Sequence, residues 1–344
     1  MATRRKFIAG GVGAGVGLSL GLGSGRFSYA QAGDSLRERN KAAVLRLKRS
    51  QGTLEAAAVT AEFQAPDYNR LRGGFAHLAA NARGQGFPDN GVNLRTAIPD
   101  RVDVIEDVIA DGDRVGLLFR VTGTHRGDLF GIPATGRRID VNELGLYRLR
   151  DGRVTEAWFM ADEAALLKQL GVRLPQRSDG KPPVPPVTGT GLDGDAMLAR
   201  LEAESDGSPE YRNKITVARS KSSNPPDELR AADYTQRRRG FEHLREYGIA
   251  HGAGDLAVTQ SLPDRRDKVD LLLAEGDKVW MQFRLAGTNM RSLYGLPPSN
   301  QPVEVPEIGI MRFENGLWKE GWYFGDELGL LLQIGAPNAL VEAV

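Results

Sequence analysis

Over residues 35–83 the apolar positions recur at helical spacing, and from residue 92 onward they follow the period of strands. Leu36, Ala43 and Leu47 share a helical stripe within 35–50, and 53–63 and 74–83 read as two further helices. Residues 102–110 and 115–124 are separated by Asp111-Gly112-Asp113, and 138–150 and 153–161 by Asp151-Gly152. Both breaks predict hairpins, because Asp and Gly tolerate the left-handed backbone that tight turns require. A short helix over Glu163–Leu170 ends at Gly171. Helices followed by an antiparallel meander predict an α+β fold, with helices on one face of a curved sheet.

This pattern occurs twice. Arg39-Asn40-Lys41, Val44, Arg46 and Lys48 return as Arg212-Asn213-Lys214, Val217, Arg219 and Lys221. Asp67-Tyr68 and Gly74-Phe75-x-His77-Leu78 return as Asp233-Tyr234 and Gly240-Phe241-x-His243-Leu244. From Pro99 onward a single register matches Asp103, Phe119-Arg120, Glu143, Trp158 and Asp162 to Asp267, Phe283-Arg284, Glu307, Trp322 and Asp326. Shared composition does not produce identities in one register over such a length, so the chain is a tandem duplication. The expected organisation is a leader over 1–32, a first copy over 35–172, a linker over 173–207 and a second copy over 208–338. Pro175, Pro182, Pro183, Pro185 and Pro186 make the linker extended, with one short helix over 196–204.

Arg4-Arg5 stands before a glycine-studded apolar stretch and Ala30-Gln31-Ala32, which resembles a twin-arginine export signal cleaved after Ala32. The expected location is the periplasm or beyond, reached through the twin-arginine translocase. The glycines argue against a stable membrane anchor. The whole chain balances 45 basic against 44 acidic residues, but 1–32 holds four bases and no acid. The remainder is slightly acidic and lacks the clustered basic surface that a nucleic-acid partner needs. With no cysteine, thiolate chemistry and thiolate metal sites are excluded, and the four histidines lack zinc spacing.

Several motifs stand in a familiar order: Asn40-Lys41, Ala65-Pro66-Asp67-Tyr68, Gly74-Phe75, Gly123-Thr124-His125, Phe130-Gly131-Ile132-Pro133, and Glu156-x-Trp158 with Asp162. They resemble the SnoaL-like polyketide cyclase (ester cyclase) family of the nuclear-transport-factor-2-like superfamily, in both copies. The resemblance implies two tandem cone-shaped α+β barrels, each a curved sheet wrapped around an apolar pocket. It implies no cofactor and no metal, and an aspartate late in each copy as general acid/base, which is Asp162 and Asp326 here.

The residues themselves leave alternatives open. In an extended strand Glu156, Trp158, Met160 and Asp162 share a side, as do Glu320, Trp322, Phe324 and Asp326. If that side lines the cone, burial raises the aspartate pKa toward acid/base use. Asp162-Glu163 and Asp326-Glu327 equally read as helix N-caps. His125 points inward with Phe119, as a substrate contact or a hydrogen-bonded core histidine. Glu143 and Glu307 pair with those aspartates in a two-carboxylate pocket or form salt bridges to Arg120 and Arg284. Trp158 and Trp322 are pocket wall or core, while His77 and His243 read as helix packing and Arg237-Arg238-Arg239 as a solvated face. The expected function is acid/base chemistry (cyclase, lyase or isomerase) on a small apolar carbonyl or ester compound. The alternative is a non-catalytic binding or protein-interaction module, and the duplication leaves an intramolecular pseudo-dimer open.

Overall fold

Two successions of helices and strands make up the computed structural model, which describes residues 26–85, 94–174, 190–253 and 258–341. The twin-arginine segment and the linker prolines lie outside the described residues. The first unit runs α1 (Arg26–Ser50), α2 (Ala56–Phe63), β1 (Gln64–Arg72), α3 (Ala76–Gly84), α4 (Leu94–Ala97), β2 (Val102–Asp111), β3 (Arg114–Thr124), β4 (Arg138–Arg150), β5 (Arg153–Ala161) and α5 (Glu163–Leu170). The second runs β6 (Leu192–Asp193), α6 (Gly194–Glu204), α7 (Pro209–Arg219), β7 (Arg230–Arg238), α8 (Glu242–Ala250), α9 (Val258–Ser261), β8 (Arg266–Glu275), β9 (Lys278–Thr288), β10 (Pro302–Glu314), β11 (Leu317–Gly325) and α10 (Glu327–Gln333).

Each unit is an α+β fold around one mixed sheet, in the order β1-β5-β4-β3-β2 and β6-β8-β9-β10-β11-β7. The β4–β5 and β10–β11 hairpins turn on Asp151-Gly152 and Asn315-Gly316, all four at positive φ as such two-residue turns require. The sequence pattern did not reveal β1 and β7, which pair in parallel with β5 and β11. Both sit at a sheet edge; β1 is polar and carries Pro66, which an edge strand tolerates because one side needs no ladder bond.

Both faces of each sheet are apolar. Odd-numbered Val115, Leu117, Phe119, Val121, Tyr147 and Leu149 point into the first cone. Even-numbered Leu118, Leu144, Leu146, Trp158 and Met160 instead meet Leu273, Trp280, Ile308 and Phe324 of the second sheet. The side carrying Trp158, Met160, Trp322 and Phe324 therefore faces the partner sheet, which corrects the expectation that it lines the cone. Strict alternation identifies two sides without saying which is concave.

Several contacts between the units come in exchanged pairs. Lys41 bonds Glu275 at 2.6 Å and Lys214 bonds Asp111 at 2.5 Å. The Ala110 amide donates to Glu275, and the Ala274 amide donates to Asp111. Each residue in the first pair of contacts has its repeat counterpart in the second, so the units are related by a pseudo-two-fold axis, as in an isologous dimer. The symmetry breaks where repeat equivalents meet each other, as Arg37 does when it bonds Glu210 at 3.0 and 2.9 Å. Gly116 and Trp280 are repeat equivalents that meet across the interface, and a Cβ on Gly116 would lie 2.7 Å from Trp280 Cε3.

Candidate functional site

A cavity of about 640 Å³ opens in the first cone, between α1, β1, α3 and the concave side of β4 and β5. That volume suits a small organic ligand. Its floor is an ion network. Lys48 Nζ lies 2.9 Å from Asp103 and 3.2 Å from the centre of the Phe119 ring, while Arg101 holds Asp103 with two bonds of 2.8 and 3.0 Å. Burial pushes the Lys48 pKa down. Burial opposes ionisation of Asp103 too, but Lys48 and Arg101 outweigh it and hold its pKa low.

Glu143 projects from β4 into this cavity, and no group among the described residues hydrogen-bonds its carboxyl. Burial raises its pKa against the pull of Lys48 and Arg101, so it is poised to take and return a proton. Tyr147, two residues along the same strand, has its phenol held protonated by burial. Gly74 is the backing of the site: a Cβ there would stand 2.0 Å from Glu143 Oε1. The expected ion pair between Glu143 and Arg120 does not form, since Arg120 bonds Glu106 and Asp140 on the sheet surface. Nor does Glu307 meet Arg284, which bonds Asp270 and Glu304.

In the second cone the ion network recurs as Lys221, Asp267 and Arg265, with Glu307 buried against Gly240. The space above it is occupied. Trp318 stands where the first copy has Val154, and packs against Tyr234, Phe313 and Tyr323 at centroid distances of 6.0, 6.5 and 6.4 Å. Bulky aromatics thus fill the second cone where smaller side chains leave the first one open. Another depression, of about 570 Å³, lies between α7 and the nearby hairpin turns. Its arginines are already used, Arg212 on the Gly207 carbonyl and Arg219 on Glu202, so it offers little to a ligand.

Asp162 and Asp326 lie outside the cavity, at the junction of the units. Asp162 caps α5, with Oδ1 accepting from the Ala165 amide at 3.0 Å, and its Oδ2 accepts from Arg238 at 3.2 Å and meets His243 Nε2 at 3.1 Å. Asp326 caps α10 through the Gly329 amide and meets Arg72 at 2.8 Å and His77 at 2.6 Å. Each aspartate therefore joins its own terminal helix to the third helix region of the other copy. Burial opposes the charge on both, yet the facing histidine and arginine hold both pKa values low, Asp326 far below the usual carboxylate range. His243 is pushed up to about 9, since Asp162 outweighs the burial that opposes its charge.

Two neighbours escaped the sequence reading. Glu163 accepts the His77 and Leu78 amides at 3.2 and 2.8 Å, and Glu327 accepts the His243 amide at 2.9 Å. They cap α3 and α8, whose own N-cap residues, Phe75 and Phe241, supply no side-chain acceptor. Burial raises both to about 7. The donor atoms of His77, Glu163 and Asp326 lie within 4.8 Å of one another, but the Arg72 guanidinium already supplies the cation there. Arg238 is likewise buried in the mirror cluster rather than solvated, while Arg237 pairs with Glu320 on the surface.

His125 is fully buried and outside the cavity. Its Nδ1 accepts from the Thr135 amide at 3.3 Å and lies 3.1 Å from the Thr135 hydroxyl, bracing the loop between β3 and β4. Burial lowers its pKa. In the second copy Asn289 Oδ1 accepts from the Ser299 amide and hydroxyl in the same way. Trp158 and Trp322 lie beneath the guanidiniums of Arg72 and Arg238, at 5.6 and 5.5 Å.

The SnoaL-like polyketide cyclase model matches residues 73–170 and again 229–334, together well over half of the chain. The chain belongs to that family. The two matches fall on the two units, so this is a tandem SnoaL-like protein. It is 36% identical over 64 residues to aklanonic acid methyl ester cyclase DauD of Streptomyces sp. (strain C5), which is 19% of this chain and 40% of the relative. The chain thus spans about two fifths of that relative's length. Among solved structures, a putative SnoaL-like polyketide cyclase from Jannaschia sp. CCS1 is 25% identical, with TM-score 0.33 over 39% of this chain and 93% of that one. IdmH, a putative polyketide cyclase from Streptomyces antibioticus, is 26% identical, with TM-score 0.31 over 39% and 99%.

Proposed function

We propose that the first SnoaL-like unit is a cofactor-free acid/base catalyst acting on a small apolar carbonyl or ester compound, and that the second unit is its structural partner. The observation that carries this reading is Glu143, a buried carboxyl with a raised pKa that opens onto the cavity unbonded. Glu143 removes a proton alpha to the substrate carbonyl and leaves an enolate, with the phenol of Tyr147 close by as a donor. The enolate then attacks a second carbonyl (cyclase), expels a beta leaving group (lyase), or takes the proton back from Glu143 at another carbon (isomerase). In this proposal Asp162 and Asp326 keep the two units in register, while Trp158, Trp322, His125 and Glu307 support the scaffold.

The test is alpha-proton exchange of 2-tetralone in D2O, followed by NMR. The protein accelerates exchange, Glu143→Gln reduces the acceleration by about 100-fold or more, and Asp162→Asn at a temperature where it is folded retains it. No acceleration, or equal activity in Glu143→Gln, overturns the reading. Loss in Asp162→Asn alone moves the proton transfer to Asp162. We also propose export to the periplasm by the twin-arginine translocase. Replacing Arg4 and Arg5 by Ala should leave the protein in the cytoplasm of a host in which the unaltered chain reaches the periplasm.

A further inference from the structure

We infer that the substrate of the first cavity carries a carboxylate, or an equally delocalised oxyanion, in addition to its apolar body, and that Arg70 holds it at the cavity mouth. This rests on the proposed function and specifies its substrate class. Arg70 lies on β1 at the rim, its guanidinium 5.7 Å from the centre of the Phe159 ring and its Nε 3.4 Å from the Tyr68 hydroxyl. Among the described residues it has no carboxylate partner. The other cations facing the cavity floor are committed: Lys48 and Arg101 share Asp103, and Arg72 is held by Asp326. The charge on Arg70 nevertheless reaches inward, where it acts on both Glu143 and Tyr147. A guanidinium stacked on an aromatic ring, with its donor edge free, matches a carboxylate in geometry and charge.

The second copy serves as a control within the same molecule. Its β7 follows β1 residue for residue, and Gln236 occupies the place of Arg70. There Trp318 packs against Tyr234 and Phe313 in the place that Val154 leaves open in the first cone. The floor cations Lys221, Arg265 and Arg238 persist in that copy because they belong to its ion pairs. Arg83 also lines the cavity and has Ile249 as its counterpart, but it is already engaged with a partner. The rim arginine is the uncommitted cation that accompanies the open cavity, which assigns it to the ligand rather than to the fold.

Naphthalene-2-carboxylate and its methyl ester, titrated into the full-length protein by calorimetry, separate the two ideas. The expected result is that the carboxylate binds about tenfold or more tightly than the ester. Arg70→Gln, which installs the second copy's residue, should bring the two within about twofold of each other. Val154→Trp, which installs the residue that fills the second cone, should abolish binding of both. Equal affinities in the unaltered protein, or a preference that survives Arg70→Gln, overturn the inference. If the ester binds and Val154→Trp abolishes it while no carboxylate preference appears, the cavity stands as the site and only the anionic substrate falls. If neither compound binds, both readings fall.

Discussion

Gly74 and Glu143 illustrate how little space the site allows. A methyl group at position 74 falls on the Glu143 carboxyl, the free end of a side chain, so the carboxyl yields before the backbone does. Gly74→Ala should therefore lower alpha-proton exchange by about tenfold or more through misplacement, with the melting temperature nearly unchanged. Gly240→Ala, which disturbs Glu307 in the filled cone, should leave exchange intact. His125 invites the opposite experiment. Asn289 already performs its bracing role in the second copy, so His125→Asn should cost under about 1 kcal/mol in denaturant unfolding. His125→Ala leaves the Thr135 amide without its acceptor and should cost about 1–3 kcal/mol. Such roles were partly legible in the sequence. Histidine giving way to asparagine at 125 and 289 signals a shared acceptor, whereas Glu143 looked like one half of a salt bridge until the sheet placed Arg120 on the other face.

At the scale of elements, the junction clusters make the terminal helices depend on the opposite copy. Asp162→Ala removes the cap of α5 and leaves Arg238 and His243 buried without their carboxylate, a loss of about 3–5 kcal/mol measurable by calorimetry. The same cluster predicts a pH profile. The folded-state pKa of His243, about 9, exceeds its unfolded value, so its stabilisation is complete below pH 6.5 and fades as pH rises through 9. Glu163 and Glu327 at about 7 are also raised, so their protonated forms favour folding below pH 4.5 and that contribution disappears as pH climbs through 7. Asp162 and Asp326 act in the other direction, and their contribution is lost below pH 3.8. The melting temperature should fall from mildly acidic pH toward pH 9, and Asp162→Asn should flatten the limb above pH 6.5. The hairpins and α5 were readable because their signals are local. The clusters were not, because Asp326 lies 254 residues from Arg72 and 249 from His77. A trace was still present: Arg72, His77, Asp162 and Glu163 reappear in the second copy although its cone has been filled, a pattern that marks structure rather than ligand binding.

The whole molecule is a dimer written on one chain, and position 116/280 shows what fusion permits. A true two-fold axis sets a residue near it against its own copy, and two tryptophans or two glycines would meet as a clash or a void. Here an indole enters the space left by a glycine. Trp280→Gly should destabilise by about 3–5 kcal/mol through the cavity it leaves, and Gly116→Trp through overpacking. Because the positions are pseudo-equivalent, the double exchange Gly116→Trp with Trp280→Gly should recover much of the loss. A double-mutant cycle with no coupling would contradict the pseudo-symmetric packing.

The exchanged aspartates also impose an order on synthesis. When the first copy emerges from the ribosome, Arg72 and His77 await a carboxylate that belongs to residue 326, and Asp162 awaits Arg238 and His243. Its convex sheet face, with Leu118, Leu144, Trp158 and Met160, is uncovered for the same interval. Each copy completes its buried pairs only with the other, so the last step of folding must wait for the second copy's Asp326. A nascent chain stopped in the linker would expose an apolar face and unpaired buried charges, the features by which chaperones and proteases recognise an incomplete product.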